Sequence, residues 1–400
     1  EPCAAAVDLV GAVGRRCGPR AAARCSNWLV PCVVKCGYCD FNSYVIEEEA
    51  AHDRFLEALQ LELRRRWRNQ QPVSVFIGGG TPSLLSVGRI ERLLSIVSEH
   101  VDLGACAEVS MEANPESFTV EKARAARAGG VRRVSIGTQS FHAHHLRFLD
   151  RAHDAEGAEA AFAAARAAGI DNVSIDLMFG IPGETFAEWQ SDLERALQLG
   201  TDHLSCYNLT FEPGTRLQRD RQRGKTGPNA QELDRAMFEF TRERLRGAGF
   251  EAYEVSNFAS RGGPCRHNDH YWLQGNYIGV GPGASSHCDG VRVSNIKALE
   301  PWADAAFAGM TCTSTAETLR PLQRVAEALW LGIRRTTGVD IGDISRRIGV
   351  DARELFEPVI ARHQAKRFVD YDGSRVRLVG EGLLLADQVG GDYLEVAIND

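Results

Sequence analysis

The sequence predicts an α/β fold: an incomplete (β/α)6 barrel of the TIM type, followed by a small C-terminal α+β domain of winged-helix-like character. Three observations carry this. From Trp28 to about Phe258, short β-branched runs alternate with Ala-, Leu- and Glu-rich segments of helical period. The residues with unusual chemistry fall just past the predicted strand ends. From about Leu319 the pattern turns helical again and closes on an alternating stretch with a turn at its centre.

Taken in order, "AAHDRFLEALQLELRRRW" (50–67) has a helical apolar period and precedes the strand "SVFIGGG" (74–80). The helix "GRIERLLSIVSEH" (88–100) leads to the strand "AEVSMEANP" (107–115), and "TVEKARAARAGG" (119–130) leads to "VRRVSIGTQS" (131–140). The helix "AEGAEAAFAAARAAG" (155–169) precedes "NVSIDLMFG" (172–180), and "TFAEWQSDLERALQLG" (185–200) precedes "HLSCYNLT" (203–210). Several of the helices end in Gly, as helix C-termini commonly do. Such a repeat, about six times over, implies parallel strands joined by right-handed crossovers. A doubly wound sheet and a barrel both satisfy the alternation. A barrel gathers the carboxyl ends of many strands around one mouth, and Gly78 to Thr81, Glu112, Gln139, Asp176 and Thr210 all lie past strand ends, which favours the incomplete barrel.

The domain reading follows. Residues 1–24 form a low-complexity Ala- and Arg-rich extension, with an organelle transit peptide as one alternative, and residues 25–260 form the barrel. Residues 261–318 open with "RGGPCRHNDHYWLQGNYIGVGPGASSH", which reads as a loop-like segment capping the barrel mouth. Residues 319–388 contain "LQRVAEALWLGIRRTTGVDIGDISRRIG" and "RFVDYDGSRVRLV", whose hairpin turns at "YDGS".

Composition narrows the function. A formal net charge of −7 argues against a dominant electrostatic grip on nucleic acid or on an anionic membrane, so a small-molecule ligand is favoured and DNA binding by the winged-helix-like unit is set aside. No apolar run approaches the roughly 20 residues of a spanning helix, and no signal-peptide core precedes the first motif. The eleven cysteines then read as reduced thiols or metal ligands in a reducing, cytoplasmic compartment.

Three of them, Cys32, Cys36 and Cys39, stand in "VPCVVKCGYCDF". Thiolates are soft ligands suited to zinc or an iron–sulfur centre. No Cys or His downstream closes a four-ligand set at short spacing; Cys25 upstream would close a zinc site, and unrelated core cysteines are the plain alternative. Gly78, Gly79 and Gly80 let a ligand approach bare backbone or simply form a tight turn, and Thr81 adds a hydroxyl. Glu112 and Asp176 end otherwise apolar strands, where a carboxylate binds a ligand or caps the next helix. Arg151 is either a site residue or a solvated cation.

The C-x3-C-x2-C spacing with Tyr38 before the last Cys resembles the cluster loop of the radical S-adenosylmethionine (SAM) superfamily. "FIGGGTPSLL", "SMEANPES", "SIGTQSF", "DLMFGIPGET", "YEVSNFA" and "CRHNDHYW" together resemble the group of coproporphyrinogen dehydrogenase HemN and the heme chaperone HemW, over residues 28–385. The resemblance implies a radical SAM barrel with a HemN-type C-terminal domain. It implies that Cys32, Cys36 and Cys39 hold a [4Fe-4S] cluster whose fourth iron is left for SAM. It also implies SAM contacts from Tyr38, Gly79, Gly80, Thr81, Glu112, Gln139, Arg151 and Asp176, with Thr210 and Ser285 bordering the site. HemN-type sequences add a Cys two positions after the third, where this chain has Phe41, and "HNDHYW" resembles a signature linked to heme handling. These two features imply a heme chaperone that passes heme to an acceptor protein, with Cys265, His267 and His270 as candidate heme ligands. The alternative is an oxygen-independent coproporphyrinogen III dehydrogenase. The chain departs from the group before the cluster loop: "SNWLVPC" lacks the usual Tyr and His, and Pro31 abuts Cys32.

Overall fold

A computed structural model describes residues 35–42, 48–68, 71–260 and 262–398. Cys25, Asn27, Trp28, Pro31, Cys32 and the extension 1–24 lie outside the described residues.

The barrel wall begins with α1 (Glu49–Arg66), β1 (Ser74–Ile77), α2 (Val87–Ser98), β2 (Glu108–Ala113), α3 (Val120–Ala128) and β3 (Arg133–Gln139). It continues through α4 (Ala143–Phe148), α5 (Ala155–Ala167), β4 (Asn172–Phe179), α6 (Phe186–Gln198) and β5 (His203–Asn208). All five strands are parallel, and each pairs with the next in sequence. A doubly wound sheet would reverse its order at a switch point. Here the order does not reverse, so successive right-handed crossovers put the helices on one side and leave the other face of the sheet free to curl around a mouth.

The wall then departs from six parallel strands. After α7 (Arg216–Gln222) and α8 (Gln231–Gly247) come β6 (Glu251–Ala252) and β7 (Asn257–Ala259). β7 runs antiparallel to both β5 and β6. The reason is length: four residues separate β6 from β7, too few for a parallel crossover.

Alternation along the strands sorts the two faces. Val75, Ile77, Val109, Met111, Val134, Ile136, Val173, Ile175 and Leu204 join a core with Phe55, Leu59, Leu93, Phe162 and Trp189 from the helices. The intervening positions, Ser74, Ser110, Glu112, Ser135, Ser174, Asp176, His203 and Ser205, turn to the concave side and make it polar. Thr185 and Glu188 form a capping box that fixes the start of α6, as their spacing requires.

Residues 262–318 are not loop-like. They hold α9 (Arg266–Trp272), β8 (Ser285–Cys288), β9 (Val291–Asn295), α10 (Leu299–Phe307) and β10 (Thr313–Thr318), the strands forming an antiparallel sheet. One buried carboxylate ties this unit to the barrel. Glu62 of α1 accepts from Gly281 N–H at 2.8 Å, Asn295 Nδ2 at 2.7 Å, Trp302 Nε1 at 3.0 Å and Arg66 Nη1 at 2.9 Å. Nor does the whole segment cap the mouth. Glu108, the first residue of β2, accepts from the backbone N–H groups of Arg266 and His267, so α9 is seated on the concave side at the amino ends of the strands. Only the later part reaches the cluster loop, where Asn42 Nδ2 donates to Lys297 O at 2.9 Å.

The C-terminal unit comprises α11 (Pro321–Gly332), β11 (Val339–Asp340), α12 (Ile341–Ile348), α13 (Arg353–Ala365), β12 (Val369–Tyr371), β13 (Arg375–Leu378) and α14 (Ala386–Ile398). The expected hairpin is present: Val369 pairs with Leu378 and Tyr371 with Val376, and Gly373 takes the left-handed turn position at φ +91°. Leu329, Phe356, Ile360, Val376 and Tyr393 give the unit its own core. Among the described residues no helix is long and apolar enough to cross a membrane. Among the described residues, Cys206, Cys265 and Cys312 are buried and Cys106 is half-buried.

Candidate functional site

The mouth is built at the carboxyl ends of β1 to β4. The β1 strand runs into Gly78, where a Cβ would stand 2.3 Å from Phe76 Cε1 and 2.6 Å from the Glu112 carboxyl. Only glycine leaves room for that carboxylate to lie against the backbone. Gly79 follows at φ +89° and donates its N–H to Glu112 Oε2 at 2.8 Å. Thr81 is buried, and its hydroxyl accepts from Asn114 Nδ2 at 3.0 Å.

Asn114 is a hub. Its Oδ1 accepts from Arg151 Nη2 at 2.8 Å, and the same nitrogen donates to Gly137 O at 2.8 Å. The other guanidinium arm, Nη1, approaches Cys36 Sγ at 3.7 Å. Four chain segments, the loops after β1, β2 and α4 and the cluster loop, are therefore joined by Thr81, Asn114, Arg151 and Cys36. Gln139, at φ +66°, turns back over β3. A Cβ on Gly137 would meet Asn114 Oδ1 at 3.0 Å, Gln139 Nε2 at 3.1 Å and Arg151 Nη2 at 3.4 Å, so three polar groups converge on one bare stretch of backbone.

The cluster loop is held from below. Cys39 N–H bonds to Cys36 O at 3.2 Å, closing the turn that brings Cys36, Tyr38 and Cys39 together. Asp150, in the left-handed region at φ +55°, accepts from Gly37 N–H at 3.0 Å and pairs with Arg216. Burial raises the Tyr38 hydroxyl pKa against the opposing pull of Arg151.

Asp176 and Glu112 share the concave side. Asp176 accepts from Ser135 Oγ at 2.9 Å and Ser174 Oγ at 3.3 Å, yet burial still raises its pKa. Burial pushes the Glu112 carboxyl up to about 7, against the Gly79 N–H bond and with help from Asp176. Two buried carboxylates, a convergent Asn–Gln–Arg set, the Arg151 Nε buried without a hydrogen-bond partner, and the Cys36 sulfur beside a guanidinium with Cys39 on the same turn form a donor set that fits a thiolate-held cluster and an amphoteric ligand such as SAM.

Beside the mouth a crevice of about 860 Å³ opens between the barrel and the C-terminal unit. Cys39, Phe41, Thr210, Phe238, Leu384 and Arg334 are among its walls. Phe41 is 58% exposed and projects at its rim.

The remaining predicted residues are elsewhere. Ser285 pairs with Ser294 across β8 and β9. Cys265 and His267 are buried at the other end of the strands: Cys265 Sγ lies 3.4 Å from Glu108 Oε1, and the His267 ring stacks on Phe76 at 4.1 Å. Glu108 and Glu112 are four residues apart on β2, so about 13 Å separates that position from the mouth. His270 Nε2 donates to Asn276 O at 2.8 Å, which leaves Nδ1 with the lone pair. Asn114 and Asp150 were not among the predicted residues. Asn114 had a signal, since it stands two positions after Glu112 and so on the same strand face; Asp150 had none, because its role depends on where the cluster loop folds.

Comparison with known proteins agrees with this geometry. Residues 29–196 match the radical SAM superfamily, and residues 319–385 match the HemN C-terminal domain. The heme chaperone HemW of Mycobacterium tuberculosis is 39% identical over 90% of this chain and 91% of its own length. The heme chaperone HemW of Bacillus subtilis is 32% identical over 90% of this chain and 96% of its own. Among solved structures, coproporphyrinogen III oxidase (HemN) from Escherichia coli, described as a radical SAM enzyme, superposes with a TM-score of 0.82 at 21% identity, covering 96% of this chain and 92% of that one.

Proposed function

The chain belongs to the HemW heme-chaperone family within the radical SAM superfamily, and on that premise we propose that it binds heme in the crevice beside the cluster loop and passes it to an acceptor protein in the cytoplasm. The observation that carries this reading is the crevice itself. Its volume is within the range of cofactor pockets, and it joins apolar walls to the Arg334 cation, with Cys39 among its lining residues. Phe41 at its rim offers an aromatic face to a porphyrin where a fourth nearby thiol would serve redox chemistry instead.

In this reading Cys32, Cys36 and Cys39 hold a [4Fe-4S] cluster, which when bound supplies one-electron chemistry. Arg151 holds its guanidinium against Cys36, and Asp150 with Arg216 keeps the loop backbone in place. Gly79, Gly80, Gln139, Glu112 and Asp176, with Asn114, line the SAM pocket, while Tyr38 and Thr210 border it. None of the three heme-ligand candidates, Cys265, His267 and His270, lines this crevice, so the reading takes the contacts to heme from the crevice walls.

A pH dependence follows from Glu112. Its carboxyl is raised to about 7 by burial, so near neutral pH it is partly protonated. A sulfonium or ammonium group favours the carboxylate and expels that proton. SAM affinity is therefore expected to rise by up to about tenfold per pH unit below 7 and to level off above it. Isothermal titration at several pH values checks this; Glu112→Gln is expected to bind more weakly with a flat profile.

The functional test uses anaerobically reconstituted protein titrated with heme. A stoichiometric Soret band, followed by transfer to an apo-hemoprotein, is the expected result. Turnover of coproporphyrinogen III with SAM and a reductant would overturn the chaperone reading.

A further inference from the structure

A second cluster of ligating side chains lies behind the loop that carries Gln139 and Arg151, where α4 meets the start of α6. Its key is a proton count at Ser140. The Ser140 hydroxyl donates to Asp192 Oδ2 at 2.5 Å and accepts from His142 N–H at 3.0 Å. It also lies 3.3 Å from His145 Nδ1. With its single proton on the Asp192 bond, the hydroxyl can only accept from the ring, so Nδ1 of His145 carries the proton and Nε2 carries the lone pair.

That lone pair is buried and unmet. His145 is 2% exposed, and its Nε2 has no hydrogen-bond partner. Glu184, also 2% exposed, uses Oε2 to accept from Ile181 N–H at 3.1 Å, while its Oε1 has no partner. A ring nitrogen of His145 and carboxylate oxygens of Glu184 and Asp192 lie within 4.8 Å of one another. A second trio, His144, His145 and Glu188, meets the same limit and runs out to the surface. Buried lone pairs left without a donor are costly unless something positive sits among them. A shift of a few tenths of an ångström, which side chains allow, brings such atoms within reach of one ion held at about 2.0–2.2 Å from each.

We propose that His145, Glu184 and Asp192 form a divalent-cation site of imidazole-plus-carboxylate type, entered past Glu188 and His144. The donor set suits first-row ions such as Zn²⁺ or Mn²⁺ rather than the soft-metal chemistry of the cysteine loop. Ser140 is its positioning residue, holding the His145 tautomer and the Asp192 carboxylate together, as outer partners do at metal sites. Burial pushes Glu184 up to about 8 and raises Asp192 too, the sense expected of carboxylates packed together without a cation. An ion here would clamp α4 to α6 beneath the two mouth residues.

Mn²⁺ is the probe, because thiolates compete poorly for it. Cluster-loaded protein is titrated with Mn²⁺ and free ion is followed by electron paramagnetic resonance. One ion per chain is expected, with Glu184→Gln and Ser140→Ala each weakening binding at least about tenfold. His145→Leu keeps the site's volume and covers the case that Glu184→Gln fails to fold; it is expected to abolish binding. Absence of stoichiometric binding in the unaltered protein, or unchanged affinity in Ser140→Ala and His145→Leu, overturns the proposal.

Discussion

Cys39→Ala is expected to fold with an unchanged circular dichroism spectrum and to hold no [4Fe-4S] cluster after anaerobic reconstitution. Cys39 is a partly exposed residue on a loop and belongs to neither core, so its removal leaves no cavity in either. Its thiolate and that of Cys36 are brought to one side of the turn closed by the Cys39 N–H to Cys36 O bond. With three cysteines in the motif, none is spare. The loss should be complete by iron and sulfide analysis and by the visible charge-transfer absorption. A variant that retains a full complement of iron and sulfide would refute the assignment of Cys39 as a ligand.

The largest effect on stability is expected at Glu62. Its carboxylate is 2% exposed and takes hydrogen bonds from Arg66, Gly281, Asn295 and Trp302. Alanine there removes the anion and strands those donors, together with the largely buried Arg66 cation. Breaking a buried pair from one side costs about 3–5 kcal/mol. Urea denaturation of Glu62→Ala should show a midpoint lower by that amount divided by the m-value. Glu62→Gln, which keeps an acceptor oxygen, should lose less. A Glu62→Ala midpoint within about 1 kcal/mol of the parent would mean that the unit of β8 to β10 is held by its apolar contacts alone.

Glu62 also explains where reading the sequence stopped. In "LQLELRRRW" it is one more acidic residue on an amphipathic helix, and nothing local marks it as buried. Three of its four partners lie more than 200 positions away. The segment 261–318, rich in Gly and Asn, carries the composition of loops, yet it forms strands and helices around that carboxylate. The same holds for Cys265 and His267. Their neighbourhood in "CRHNDHYW" suggests reactive groups, but Glu108 and Phe76 take them into the interior. The mouth was easier to read, because Glu112 and Asp176 are carboxylates where strand alternation puts one residue in two inside, and because Gly78 to Thr81 follow a strand directly.

The order of strands and helices through β5, the apolar face of each, the hairpin at "YDGS" and the metal-ligating character of the cysteine loop follow from the sequence by itself, since each depends on residues a few positions apart. Only the tertiary structure decided that the strand order never reverses along β1 to β5, that β7 runs back antiparallel between β5 and β6, that α9 is seated on the concave side opposite the mouth, and that Asn114, Arg151 and Asp150 brace the loop of Cys36 and Cys39. Those outcomes rest on contacts between distant segments, whose partners are chosen by burial and by the need to satisfy each buried polar group.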